Sequence, residues 1–322
     1  LFNGAAKRLK SLQPCFPPEI IGYHGHEYHD LSSEELVMSE LKRKLMAREF
    51  VSAPGVFDGI SVRTADPMGF DALYMTGYGA VASHLGLPDA GMASYRDMVE
   101  RVKTFCSIAK TPIIADGDTG YGGLLNVHHT VEGYEQAGAA GIQLEDQEFP
   151  KKCGHTPMRR VIPLDDMLRK LEVAVSARRS DDFLIIARTD ARTGLGLDEA
   201  IKRGKAFKDA GADVVFVESP ESEAEMEQIC AEIDAPLLVN VVEGGSTPVL
   251  SVAEYKRMGY AMAIYPGSGF LAIGAALQTV YSQIRDTGSS IGADTPLADF
   301  MEFSKRMGFQ DVWDFDKKWA DD

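Results

Sequence analysis

The sequence predicts an α/β chain folded as a closed (β/α)8 barrel, and three observations carry that expectation. Eight short apolar runs alternate with longer segments of helical spacing. The runs are nearly continuous in apolar character, as strands of a parallel sheet covered on both faces are. The stretch 50–287 is close to the roughly 250 residues that such a barrel needs. A doubly wound open sheet is the competing arrangement, disfavoured because no strand leads through GxGxxG into a helix.

In order, the runs are 50–56, 72–76, 112–115, 141–144, 183–187, 214–217, 236–241 and 263–265. Between them, Met98, Val102 and Phe105 repeat on one helical face, and so do Leu164, Leu168, Leu171 and Val175. "GLGLDEAIKRGKAFKDAGAD" has acidic residues near its start and Gly after its end, which capping and the helix dipole favour. Residues 1–49 form an N-terminal extension, a loop leading to a helix near 34–48. Residues 288–322 form a C-terminal helical extension with Phe300, Phe303, Phe309, Trp313, Phe315 and Trp319. Aromatics at that density are expected to pack on the barrel or on another subunit, with the C-terminal helix swapped onto a neighbour.

Composition narrows the function. With 45% hydrophobic and 25% charged residues the 322-residue chain is globular, not disordered or collagen-like. The net charge of −15 opposes binding to nucleic acid and to anionic membrane, and suits cations wherever carboxylates converge. No apolar stretch approaches the ~20 residues that cross a bilayer. The basic N-terminus, residues 1–13, lacks the apolar core of a secretory signal. Cys15, Cys106, Cys153 and Cys230 suggest neither a disulfide framework nor a zinc ribbon, so a reduced, cytoplasmic enzyme or binding protein is expected.

Active sites of this fold form at the carboxyl ends of the strands. Strand two is followed by "TGYGAVASHLGLPD", ending at Asp89, and strand three by "ADGDTGYGG", with Asp116 and Asp118. Strand four ends in "QLEDQEFPKKCGH", with Glu145, Asp146, Cys153 and His155; strand five in "ARTDAR", with Arg188 and Asp190. Strand six ends at Glu218, strand seven in "NVVEGG", with Asn240, and strand eight in "YPGSG". Asp116 and Asp118, two apart on a strand, are expected to point together and to join Glu145 around Mg²⁺ or Mn²⁺. Arg188 either grips a substrate carboxylate or pairs with Asp190, Glu218 or Glu145. Asn240 and Glu218 either contact substrate or order Arg188. Cys153 lies between lysines and a Gly-His pair in a polar loop, where neighbouring cations favour the thiolate and loop movement brings it over substrate. His24, His26 and His29 have metal-like spacing without evident partner ligands, and "GYGG" and "PGSG" resemble phosphate loops only weakly.

Taken together, "APGVFDG", "GLPD", "ADGDTGYGG", "QLEDQ", "KKCGH", "ARTDA" and "NVVEGG" resemble the isocitrate lyase/phosphoenolpyruvate mutase superfamily over about residues 40–290. The subgroup most similar is that of petal death protein, oxaloacetate hydrolase, 2,3-dimethylmalate lyase and methylisocitrate lyase. The mutase branch lacks "KKCGH", so Cys153 points to lyase or hydrolase chemistry. The resemblance implies a Mg²⁺ site at Asp116, with Asp89, Asp118 and Glu145 acting directly or through waters. It implies that Thr76, Gly77 and Tyr78 hold one end of an α-oxycarboxylate with Arg188, and that His155, Glu218 and Asn240 line the rest of the pocket. It makes Cys153 the general acid/base of a gating loop and the protein a homotetramer with a docked C-terminal helix.

The reaction so implied breaks the C2–C3 bond of a 2-hydroxy acid in a retro-Claisen-type step, and Cys153 protonates the departing enediolate. Tyr74 is the candidate to take the hydroxyl proton. Leu271 stands where methylisocitrate lyases have Arg, which favours a dicarboxylate over a tricarboxylate. A 2-alkylmalate or 2,3-dimethylmalate lyase is the expectation. Oxaloacetate hydrolase, methylisocitrate lyase and a non-catalytic dicarboxylate-binding protein are the alternatives.

Overall fold

The computed structural model describes residues 38–154, 156 and 158–320. Cys15, the His24, His26 and His29 group, the start of the expected 34–48 helix, and His155 lie outside the described residues. Eight parallel strands close in sequential order: β1 Val51–Val56, β2 Leu73–Met75, β3 Ile113–Asp116, β4 Gly141–Glu145, β5 Leu184–Thr189, β6 Val214–Val217, β7 Leu237–Asn240 and β8 Met262–Tyr265. Each overlaps one expected run. The helices are α1 Glu40–Met46, α2 Gly59–Ala65, α3 Gly77–Leu85, α4 Tyr95–Ile108, α5 Leu124–Gln136, α6 Leu164–Ala177, α7 Ala191–Leu195, α8 Leu197–Asp209, α9 Glu223–Glu232, α10 Val252–Met258, α11 Ser268–Thr287, α12 Phe300–Arg306 and α13 Phe309–Trp319.

Alternation along each strand sorts the core into two layers. Ala53, Tyr74, Ile114, Ile186, Phe216, Leu238 and Ile264 fill the barrel interior. Their chain neighbours, such as Met75, Ala115, Ala187, Val217 and Val239, face the helices. The register is continuous around the barrel, with Tyr74 beside Ile114, Phe216 beside Leu238 and Ala53 beside Ile264. Leu41 and Leu45 of α1 belong to the interior layer, so this helix packs into the barrel's apolar filling. Ser39 caps it by accepting from the Lys42 amide.

Helix faces follow the expected pattern with one shift. In α4, Met98, Val102 and Phe105 are buried as expected. In α6 the buried line is Met167, Leu171, Ala174 and Ala177, while Leu164, Leu168 and Val175 flank it half-buried. The small side chains at 174 and 177 let the helix approach closely along their own row, so burial centres there. α8 has Asp198 and Glu199 in its first turn, and Gly211 beyond its end takes φ +94°. None of the residues of α11, α12 or α13 is buried, and Phe300, Phe309, Phe315 and Trp319 are exposed. Among the described residues no helix is long and apolar enough to cross a membrane.

Leu45 is fully buried. Leu45→Ala is expected to destabilise the fold by about 2–5 kcal/mol in chemical denaturation. An unchanged midpoint would remove α1 from the core.

Candidate active site

The inward alternation reaches the carboxyl ends of the strands and there changes from apolar to charged. Two residues beyond the interior layer stand Thr76, Asp116, Arg188, Glu218, Asn240 and Pro266, and two beyond Gln143 stands Glu145. All of these line or border one cavity of about 230 Å³, together with Tyr74, Tyr78, Asp89, Lys151, Cys153 and Gly154.

Arg188 anchors one half. It donates through Nε to Asp190 Oδ2 and through Nη2 to Asp190 Oδ1, both at 2.9 Å. It also faces Glu218 at 3.2 Å and its strand neighbour Glu145 at 3.4 Å, and its guanidinium lies over the Phe216 ring. Burial opposes its charge, but these carboxylates outweigh burial and hold it protonated. Asn240 Nδ2 donates to Glu218 Oε2 at 3.0 Å. Arg188 is thus paired with all three carboxylates that the sequence offered it, and it also lines the cavity.

The other half is acidic. Lys151 Nζ pairs with Asp89 Oδ1 at 2.5 Å and Asp118 Oδ1 at 2.7 Å. Burial would lower the Lys151 pKa, yet Asp118, Asp89, Glu145 and Asp116 together push it well above its ordinary range. The four acids expected at a metal thus surround one ammonium. Burial above all, with Asp116 and Asp89 close by, pushes Asp118 up to about 7 despite Lys151. Glu145 is raised in the same way by burial.

Asp118 does not reach this cluster by strand alternation. β3 ends at Asp116, and Asp118 sits in a turn at φ +49°, its amide donating to Asp116 Oδ1 at 3.0 Å. The turn is held from behind, where Tyr134 Oη donates to the Asp116 carbonyl and Lys170 Nζ to the Thr119 carbonyl. "GYGG" supplies this turn's glycines, Gly120 and Gly122 having positive φ.

Asp116 lies against the start of α3. A Cβ on Gly77 would come within 2.5 Å of Asp116 Oδ2, so only glycine admits this approach. Thr76, the N-cap, makes no capping side-chain bond. Its buried hydroxyl and the first amides of α3 fit a carboxylate.

Tyr74 requires a correction of role. It is wholly buried, donates its hydroxyl proton to Gln143 Oε1 at 2.8 Å, and burial pushes its pKa well above the usual value. The phenol holds its proton, so it is a poor base.

Among the described residues, no three His, Cys, Asp or Glu side chains form a direct metal-ligand set. The expected four-acid cluster is thus not a closed ligand shell. The donors still suit Mg²⁺ or Mn²⁺, which retain waters and take few protein ligands. Buried Glu145 Oε1 has no hydrogen-bond partner, and among the described residues Lys151, Arg159 and Arg188 are the cations paired with Asp89, Asp118, Asp190, Glu145 and Glu218.

From the stretch 147–161, Lys151, Cys153, Gly154 and Thr156 line the cavity. The base of the stretch is closed by a Gln147–Val161 bridge. The Cys153 amide donates to the Asp89 carbonyl, and Ser219 Oγ to the Gly154 carbonyl at 3.0 Å. A Cβ at Gly154 would collide with Arg188 and Glu218. Sequence reasoning used Lys151 only to tune Cys153, and it missed Arg159, Ser219 and Phe270; the charge of "KKCGH" and "MRR" was the available signal.

The sequence profile described as phosphoenolpyruvate phosphomutase matches residues 41–285. The chain is 42% identical to 2,3-dimethylmalate lyase of Eubacterium barkeri, over 88% of this chain and 98% of the relative. A structure of oxaloacetate acetylhydrolase with the inhibitor 3,3-difluorooxalacetate superposes with a TM-score of 0.82 at 37% identity, covering 88% of this chain and 96% of the other. Phosphonopyruvate hydrolase in complex with oxalate and Mg²⁺ gives 0.79 at 27% identity, covering 87% and 98%.

Burial pushes the Cys106 thiol up to about 11 and the Cys230 thiol up to about 12, whereas Cys153 lines the cavity. Iodoacetamide at pH 8, read by peptide mass mapping, should label Cys153 ahead of both, since only thiolate reacts. Equal labelling of Cys106 or Cys230 would contradict this environment. Gly77→Ala should cut activity at least about tenfold by displacing Asp116, at the scale of a small misplacement in an active site.

Proposed function

The chain belongs to the isocitrate lyase/phosphoenolpyruvate mutase superfamily, and from that premise we propose that it is a divalent-metal-dependent carbon–carbon lyase acting on a 2-hydroxy dicarboxylate of the 2-alkylmalate or 2,3-dimethylmalate type. One observation carries the choice of substrate: the cavity has two unlike walls. Asp89, Asp116, Arg188, Glu218 and Asn240 make one polar, and Val242, Ile264, Pro266, Phe270 and Leu271 make the other apolar. An alkyl substituent is stabilised against the second wall. A third carboxylate or the paired hydroxyls of a hydrated ketone would find no partner on these five side chains.

Asp116 would hold the cation, with Asp89, Asp118 and Glu145 engaging it directly or through waters. When bound, Mg²⁺ or Mn²⁺ supplies Lewis-acid polarisation of the substrate's α-oxygen and carboxylate. Thr76 and the amides of Gly77 and Tyr78 bind the substrate's α-carboxylate. Arg188 orients that end and opposes the charge developing on the C2 oxygen. The C2 hydroxyl proton passes to a carboxylate of the polar wall, and cleavage of C2–C3 then releases pyruvate when C2 carries a methyl group. Cys153, held over the cavity by its segment, gives its proton to the carbon of the departing enediolate, which leaves as propionate from 2,3-dimethylmalate. Glu218 and Asn240 belong to the polar wall, and His155 is assigned to substrate binding from the "KKCGH" resemblance alone. Segment 147–161 keeps water from the enediolate.

Residues 50–287 form the catalytic barrel and 288–322 the oligomerisation segment of a homotetramer. The exposed aromatics of α12 and α13 support that assignment. A reduced, cytoplasmic setting suits chemistry that depends on a thiol. The oxaloacetate hydrolase reading keeps support from the acetylhydrolase similarity, but the apolar wall favours the lyase.

The test is an assay panel of 2,3-dimethylmalate, 2-alkylmalates, methylisocitrate and oxaloacetate, with pyruvate and oxalate both measured. Pyruvate from the dimethyl or alkyl malates is expected. Oxalate as the sole product would assign the hydrolase, and no turnover of any member would remove the enzyme reading. EDTA should abolish activity and excess Mg²⁺ restore it. Cys153→Ser should lower kcat by about 10²–10⁴, the usual worth of a positioned acid. A fully active variant would eliminate the proposed proton donor.

A further inference from the structure

Arg159 follows Cys153 in the same segment and does not line the cavity, yet its side chain is buried and paired. Its side chain is 4% exposed and pairs with fully buried Asp190, Nη1 to Oδ1 at 2.6 Å. Its Nη2 donates to Thr193 Oγ1 at 2.6 Å. Met158, immediately before it, takes φ +63° with its own side chain exposed, and this reversal turns Arg159 inward. Glu148 and Arg160 are joined by a backbone bond at 2.8 Å, so Arg159 sits at the root of the segment that carries Cys153.

Asp190 is the shared element. The oxygen that receives Arg159 also receives Nη2 of Arg188 at 2.9 Å. Without Arg159, Arg188 is left as the arginine paired with Asp190, while it also faces Glu145 and Glu218. Such a cluster repels an arriving dianion and draws the guanidinium toward Asp190. With Arg159 in place, one of those charges is answered from outside the cavity. In a buried setting these interactions are weakly screened, so one added cation changes anion affinity strongly.

We propose that Arg159 is a positioning residue: by sharing Asp190 it leaves Arg188 able to hold a substrate carboxylate, and it ties that ability to docking of the Cys153 segment. The proposal rests on the reading of Arg188 as a carboxylate-binding group, and it assigns the chain a second arginine whose effect reaches substrate only through Asp190 and Arg188.

The test uses the full chain with Mg²⁺ and oxalate as the probe, by calorimetric titration, alongside kcat, KM and Tm. Arg159→Met should weaken oxalate binding and raise the KM of the substrate by about tenfold or more, with a smaller change in kcat. Arg159→Lys, which restores the charge without the fork, should recover most of the oxalate affinity. A lowered Tm with wild-type oxalate affinity and KM would make Arg159 a structural strut and overturn the proposal. Should Arg159→Met fail to fold, Thr193→Val removes only the second hydrogen bond. It should weaken oxalate by a smaller factor of the same sign, and unchanged binding there also overturns the proposal. Wild-type protein that binds no oxalate with Mg²⁺ would bring down the dicarboxylate reading of the site, and this role with it. Equal binding by wild type and Arg159→Met brings down this role alone.

Discussion

Among the described residues, the charges that line the barrel's cavity stand where the apolar filling ends, at the carboxyl ends of the strands. Below them, Ala53, Tyr74, Ile114, Ile186, Phe216, Leu238 and Ile264 close the interior against water, and α1 adds Leu41 and Leu45 to that filling. A carboxylate or guanidinium placed there would lose hydration with nothing to replace it. One step up each strand, at the open end, the same inward positions hold Asp116, Glu145, Arg188, Glu218 and Asn240. The site is therefore a consequence of where the apolar filling stops. Even Gln143, the polar residue of β4 within that layer, is tied to Tyr74, which fixes the phenol as a donor.

The rim carries more negative than positive charge, and the arrangement of the cations shows how the imbalance is managed. Arg188 rises from β5 itself, but Lys151 and Arg159 arrive on the segment that carries Cys153. The covering segment thus brings with it two of the described cations that pair with the acids beneath. Its position and the electrostatics of the pocket are a single variable. Burial raises Asp118 and Glu145 above the ordinary carboxylate range, and a divalent cation among them would favour their charged forms.

Much of this was legible in the residue order. Parallel strands buried on both faces write themselves as continuous apolar runs, and all eight were located within a few residues. The barrel rule then converts strand ends into a site map, which brought Asp116, Glu145, Arg188, Glu218 and Asn240 to one mouth. Cys153 and Asp89 come from loops, and their place over the same cavity followed from motif resemblance, not from periodicity. Extrapolated alternation misplaced Asp118: it shares a cluster with Asp116 because of a left-handed turn, not because a strand continues. The α6 stripe erred for a related reason, since spacing identifies a face but not which row a neighbouring helix can approach.

The sequence by itself determined the barrel, the rim on which chemistry stands and the identity of its charged residues, because period-two burial and strand order are local properties. Only the tertiary structure decided who partners whom. Lys151 lies 62 residues from Asp89 and 33 from Asp118, and Arg159 lies 31 from Asp190. Those distances close through barrel curvature and loop path, which no local pattern encodes. Whether Arg188 is a paired strut or a substrate ligand turns on such through-space partners, as does whether Tyr74 keeps its proton.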